Sequence, residues 1–263
     1  MKWTWARGWS VGEWRKKFAL GGRLWDERQC MRYRIDLHCH SWFSADGVSR
    51  PEAMIRGARA KGLNGFALTD HDTSDGCRYL VDQGLMRMDG KPVDNFLIIP
   101  GVEVSTAEGH LLCLGVILPK LKGCPALEVV EMVHGLGGVV IPAHPYDRFR
   151  AGIRESVLET LAVDGVEVFN AATTLKRFNE AAYVYAERRK LPMTAGSDAH
   201  HAGAVGTACT IFSTEDFSVG GILGQLAFGT EMERTYLSRR EAFRKTMNNW
   251  FRLRRRRSYP EKA

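Results

Sequence analysis

From residue 34 onward, short apolar runs in this chain end repeatedly in His, Asp or Glu. The segments are RIDLHCHSWFSADG, GFALTDHD, NFLIIPGVEVS, GHLLCLG, GVVIPAHP, DGVEVFN and LPMTAGSDAH, and they contain six of the eight histidines. Short apolar runs bounded by polar and turn residues read as buried strands. Between them, 51–61, 77–88, 125–134, 153–161 and 174–190 read as helices, and ACTIF reads as a last strand. Ser49 is the expected cap of the first helix, Pro51 suits its first turn, and Gly62 can end it. Alternating strand and helix predicts an α/β fold with a mostly parallel sheet. The polar motifs then fall at the C-terminal strand ends, the face where such sheets carry their sites. Side chains from six or seven strands cannot meet at one point of an open sheet, so closure into a TIM-like barrel is expected.

The charge distribution divides the chain into three parts. Residues 1–33 are basic and hold five of the seven tryptophans, and 234–263 carry 11 Lys and Arg against 2 Asp and Glu. The stretch between, 34–233, is acidic overall, which suits a cation-binding site. We therefore expect a globular domain over 34–233 with basic extensions at both ends. No apolar run approaches the ~18 residues of a membrane span, and the N-terminus lacks the pattern of a secretory signal. The six cysteines form no C-x-x-C pair, and a cytoplasmic location is expected. Neither a G-x-G-x-x-G nor a G-x-x-x-x-G-K-[ST] loop occurs, so the sequence gives no support for a dinucleotide cofactor.

Within a strand, residues two apart share a face. His38 and His40 therefore project together, with Asp46 just downstream and four further His/acid motifs at other strand ends. Imidazole and carboxylate together suit Zn, Mn or Fe. A lone H-x-H is as often a pair of satisfied core histidines; the series is what points to metal.

The ordered set HCHSWFSADG, LTDHD, GVEVS, GHLLCLG, IPAHP, VEVFN and TAGSDAH resembles the PHP (polymerase and histidinol phosphatase) superfamily over residues 34–212. The resemblance implies a distorted (β/α)7 barrel that binds two or three divalent metals (Mn, Fe or Zn) and hydrolyses phosphoesters. It implies His38, His40, Glu103 and Asp198 as ligands of a first metal. Glu103 would bridge to a second metal held also by His110 and His144, and Asp46, His71 and His200 would hold a third. His110 lies two residues before the position of the matching histidine in several relatives, where this chain has Leu112. A two-residue offset keeps the same strand face. Clustered metals of this kind lower the pKa of a water toward ~7 and neutralise phosphoryl charge. Asp198, His200 and His71 are the expected catalytic residues.

Arg148 and Arg150, directly after a ligand motif, are candidates to clamp a substrate phosphate, against an equal prospect of a solvated loop. Asn170 ends a strand on the ligand face, with Glu167 as its support. Asp70 and Asp72 flank His71 and can orient it or cap a helix. Lys176 and Arg177 read equally well as solvated residues, His201 is next to His200 but would point elsewhere, and His134 reads as a helix-end residue. For the basic ends, three readings compete: a solvated tail, an element that steers RNA or oligonucleotide, and a membrane-surface element. The expected activity is hydrolysis of small phosphomonoesters, nucleotides included, by a metal-activated water. The alternative is exonucleolytic cleavage of RNA or oligonucleotides, and the least favoured reading is a non-catalytic metal-binding module.

Overall fold

The computed structural model describes residues 30–237. Residues 1–29 and 238–263, and with them most of both basic extensions, lie outside the described residues. The strands are β1 (Met31–Cys39), β2 (Gly65–Leu68), β3 (Leu97–Ser105), β4 (His110–Leu114), β5 (Val139–Pro142), β6 (Val166–Asn170), β7 (Met193–Gly196), β8 (Ala208–Thr214) and β9 (Glu231–Arg234). The helices are α1 (Pro51–Ala60), α2 (Asp75–Asp82), α3 (Ala126–Gly135), α4 (Glu155–Leu158), α5 (Lys176–Arg189) and α6 (Val219–Gln225). Among the described residues, no helix is long and apolar enough to cross a membrane.

The architecture is α/β with a curled sheet of strand order β5-β4-β3-β2-β1-β8-β9 and a separate parallel pair, β6-β7. The pair meets the curled sheet on both sides, and Ala195 of β7 exchanges hydrogen bonds with Thr210 Oγ1 of β8. His40 donates its amide to Ala199 O at 2.7 Å, just beyond β7, and Asp164 donates to Val140 O at 2.9 Å, just before β6. The parallel expectation holds for β1-β2-β3 and fails at β4, which runs antiparallel to both β3 and β5. A four-residue link, closed by Thr106 N donating to Gly109 O, leaves no room for a helix between β3 and β4. β8 and β9 extend the sheet antiparallel beyond β1; the second of these was not expected.

Local sequence explains the helix ends. Pro51 starts α1, where its missing N–H is no loss. Arg50, with extended dihedrals, occupies the N-cap, and no side chain caps the helix. Ser49 was the expected cap; its hydroxyl accepts instead from Ala202 N at 3.0 Å. α2 stops earlier than expected because Gly84 turns the chain at φ 66°.

The inside of the curl is filled by Ile35, Leu37, Ala67, Ile99, Leu112 and Ile141, with Ile222 and Leu223 of α6 against them. A second cluster joins Val102, Val104 and Leu111 to Val129 and Val133 of α3 and Ala182 of α5. The β1-β2 register slips by one between Asp36 and Cys39. Two β1 residues, Leu37 and His38, therefore oppose the single Ala67. Such a bulge re-aims side chains, and here Leu37 enters the core while His38 turns into the site described next.

Candidate metal centre

Every polar motif of the sequence arrives at one end of the curled sheet. β1 delivers His38, and His40 follows it; the loop after them carries Asp46. His71 follows β2, Glu103 lies in β3, His110 opens β4, His144 follows β5, and Asp198 and His200 follow β7. His144 and Asp198 have φ of 31° and 52°, the left-handed region that non-glycine residues avoid. Strain of this kind persists where the surroundings over-determine it, and it gathers at functional sites.

Glu103 is the hub. Its Oε1 lies 2.8 Å from His110 Nδ1 and 3.0 Å from His144 Nε2. Its Oε2 lies 3.0 Å from His38 Nε2, 3.1 Å from His40 Nε2 and 3.3 Å from His71 Nδ1. One buried carboxylate thus faces five imidazoles. Asp46 Oδ2 lies 2.7 Å from His200 Nε2 and 3.5 Å from His71 Nε2. Asp198 Oδ1 lies 3.3 Å from His200 Nδ1 and 3.6 Å from His40 Nε2.

The electrostatics follow from this crowding. Burial alone would raise the Glu103 carboxyl, but the imidazoles of His71 and His38 hold it well below the usual range. Burial opposes charge on His38, yet the carboxylates of Glu167 and Glu103 lift its pKa to about 9. Burial pushes His40 well below its ordinary value and His144 down to about 4, with Arg150 adding to the second shift.

The side chains that could hold a metal form four overlapping groups: His40, Asp46, His71 and His200; His38, His40 and Glu103; His38, His144 and Asp198; and His71, Glu103 and His110. They overlap with the three sets implied by the sequence without reproducing them, since His40 joins Asp46 and His71 joins Glu103. Both ring nitrogens of His40 and Nδ1 of His144 are buried without a hydrogen-bond partner. Buried polar atoms are ordinarily paired. Orphaned imidazole nitrogens within a His/Asp/Glu set fit a divalent cation of the Mn, Fe or Zn type. His110, His71 and Asp46, with side chains 17%, 20% and 30% exposed, edge the solvent side.

A layer of carboxylates and amides fixes these side chains. Glu167 lies 3.0 Å from His38 Nδ1, accepts from His144 N at 2.7 Å, and accepts from Asn170 Nδ2 at 3.0 Å. Asp36, fully buried, accepts from Ser197 N and Oγ and from Gly206 N, tying the strand that carries His38 to the one that leads to Asp198. Read from the sequence, Glu167 had only a supporting part beside Asn170, and Asp36, though it belongs to the first His/acid motif, had no assigned role. A buried carboxylate two residues before a ligand on the same strand was the available signal. Asp70, expected to orient His71 or cap a helix, accepts from Ser41 N and Oγ at 2.6 and 2.7 Å. Asp72 accepts from Ser105 N at 2.7 Å.

Of the substrate-binding candidates, Arg150 reaches the cluster. Its guanidinium contacts Asp198 Oδ2 and donates to Asn170 Oδ1 at 3.1 Å, and Asn170 Nδ2 donates to Asp198 Oδ2 at 3.2 Å. Arg148, two residues earlier, is exposed. Lys176 lies over the Tyr236 ring and Arg177 over that of Phe178. His134 pairs with Asp164 at 2.8 Å, away from the cluster.

The PHP domain profile matches residues 36–163, and a PHP-associated profile matches 176–230. A 5'-3' exoribonuclease of Haemophilus influenzae is 30% identical over 195 residues, which is 66% of this chain and 68% of that protein. A protein of Enterobacter sp. named "Probable phosphatase" is 34% identical over 93 residues, 34% of this chain and 38% of its own. Among solved structures, a two-domain protein of Bacteroides vulgatus, described as containing a PHP-like metal-dependent phosphoesterase, superposes with a TM-score of 0.61. That match has 18% identity and covers 85% of this chain and 71% of that one.

Proposed function

Since the chain belongs to the PHP family and is a metal-dependent hydrolase of phosphoester bonds, we propose that its substrates are small phosphomonoesters, nucleotides or related phosphates. The observation that supports this most is Arg150. Its partly buried guanidinium stands against Asp198 at the edge of the ligand cluster. A terminal phosphate carries up to two charges and three free oxygens, and a planar guanidinium fixed beside a cation site suits it better than a diester.

We read the curled sheet and the β6-β7 pair together as a distorted (β/α)7 barrel. His38, His40, Glu103 and Asp198 would hold one metal, Glu103, His110 and His144 a second, and Asp46, His71 and His200 a third. Divalent cations bound there would neutralise the phosphoryl oxygens and lower the pKa of an attacking water. Asp198, His200 and His71 border the reacting phosphate in this reading. His71, on the solvent side, is placed to exchange a proton with water. Asn170 holds the Arg150 guanidinium and the Asp198 carboxylate in register, and Arg148 offers a second cation at the rim. We place the protein in the cytoplasm on its six cysteines, which are unpaired and form no C-x-x-C motif.

A second reading is stepwise cleavage of RNA or oligonucleotides from an end, with the basic ends steering the polyanion. It is favoured by the exoribonuclease among the relatives. Product analysis separates the two. Manganese-loaded protein would be offered mononucleotides, a bisphosphorylated nucleotide, sugar phosphates, histidinol phosphate and a labelled short RNA. Inorganic phosphate from a small substrate with intact RNA supports the first reading; stepwise release of mononucleotides replaces it with the second.

A further inference from the structure

The aromatic ring most open to solvent in the described residues belongs to the turn that sends Arg150 to the candidate metal centre. Phe149 is 66% exposed. It immediately precedes Arg150, whose guanidinium reaches Asp198. Exposed phenylalanines are not unusual in mobile loops, but this one is held on a stitched turn. The fully buried Asp147 accepts from Phe149 N at 3.2 Å and, from the segment before α5, from Thr173 Oγ at 3.2 Å and Thr174 N at 2.9 Å. Its carbonyl accepts from Arg150 N and Gly152 N, both at 2.9 Å. Tyr146 and Ala151, at φ 68° and 54°, close the turn on either side. A buried carboxylate is thus committed to fixing a turn whose outward product is an exposed ring.

The surroundings of the ring are basic. Arg148 on the same turn, and Lys176 and Arg177 at the start of α5, are all exposed. The Thr173 and Thr174 bonds to Asp147 bind these two segments together, and Phe178 lies 6.2 Å from Phe149, centroid to centroid. A rigid aromatic face with cations around it suits a nucleotide, because a base stacks on the ring and phosphates meet the charges.

We propose that Phe149 is the stacking platform for a nucleobase of the substrate, so that the phosphoester presented to the metal centre belongs to a nucleotide unit. This rests on the hydrolase reading above and narrows its substrate class; it holds equally for a free nucleotide and for the end of a strand. Arg148, Lys176 and Arg177 receive the phosphates that are not being hydrolysed.

The test uses binding, so that it does not depend on turnover. Calorimetric titration of the full, manganese-loaded chain would compare non-hydrolysable phosphonate analogues of adenosine monophosphate and of ribose 5-phosphate. The unaltered protein is expected to bind the adenosine compound roughly tenfold more tightly. Phe149→Ala should abolish that preference without changing affinity for the ribose compound, and Phe149→Trp should keep it. Equal binding of both ligands by the unaltered protein, or an equal loss for both in Phe149→Ala, overturns the proposal. Failure of the hydrolase reading shows separately, as no phosphate release from the natural esters of either ligand.

Discussion

Glu167 Oε1 sits 3.0 Å from Nδ1 of His38, with both side chains buried. This contact fixes the imidazole so that its other nitrogen, Nε2, faces Glu103. A carboxylate behind a histidine ligand sets its tautomer and raises its basicity. Glu167→Gln is therefore expected to weaken metal affinity about 10- to 100-fold, with the fold intact by circular dichroism. Chelator competition reads the affinity directly. Unchanged affinity would reduce Glu167 to a partner of His144 N and Asn170.

Gly196 ends β7 where that strand passes His38. A Cβ there would lie 2.6 Å from Glu167 Oε1 and 2.6 Å from His38 Cβ. Neither neighbour is free to retreat, since each is buried. Gly196→Ala should cost about 1–3 kcal/mol through overpacking and displace His38 from the cluster. Urea denaturation together with metal analysis checks both effects. A variant as stable and as fully metallated as the parent would mean that β7 can shift.

His40 has both ring nitrogens buried and without a hydrogen-bond partner, beside two carboxylates. His40→Ala should lower metal content and phosphoester hydrolysis in parallel. Elemental analysis showing full occupancy in this variant would remove His40 from the ligand set.

His134 lies in the last turn of α3 and pairs with Asp164, whose Oδ2 also accepts from Val140 N at 2.8 Å. The hydrogen bond to Asp164 raises the imidazole pKa, with partial burial acting against it. A raised folded-state pKa stabilises the fold fully below the ordinary histidine value of ~6.5. The contribution is lost as pH climbs through the folded-state value. His134→Gln should thus destabilise the protein by about 0.5 kcal/mol at acid pH, a figure reduced for solvent screening, and by little at pH 9. A thermal denaturation series across pH measures this; a deficit that grows with rising pH would contradict it.

The candidate ligands were legible because most are a His, Asp or Glu at or just beyond one end of an apolar run, and short runs of that kind have few other readings. His110 shows how far the strand-face argument reaches. Although offset from the family's position, it lies 2.8 Å from Glu103, because Ser105 pairs with His110 and Glu103 with Leu112 across the β3-β4 ladder. Strand direction was not legible. An apolar run reads the same in a parallel or antiparallel strand, and only the shortness of the link at residues 106–109 marked β4 as a hairpin partner. Asp36 and Glu167 were obscured for a related reason. Their importance comes from partners such as Ser197 and His38, which lie far away in the chain. β9, whose four residues are Glu, Met, Glu and Arg, has no apolar alternation to reveal it. It is held by pairing with β8 and by ion pairs such as Arg34 to Glu233 at 2.6 Å.

The one-residue slip in β1 places two demands on the same nine-residue strand. A version of β1 shortened by one residue would pair with β2 without interruption and make a more regular ladder. It would also return the position of His38 to ordinary alternation and move an imidazole away from Glu103. Ladder regularity and the number of candidate ligands are thus in opposition in this strand, and a search for stabilising changes that treats the irregularity as a defect would select against the candidate metal centre.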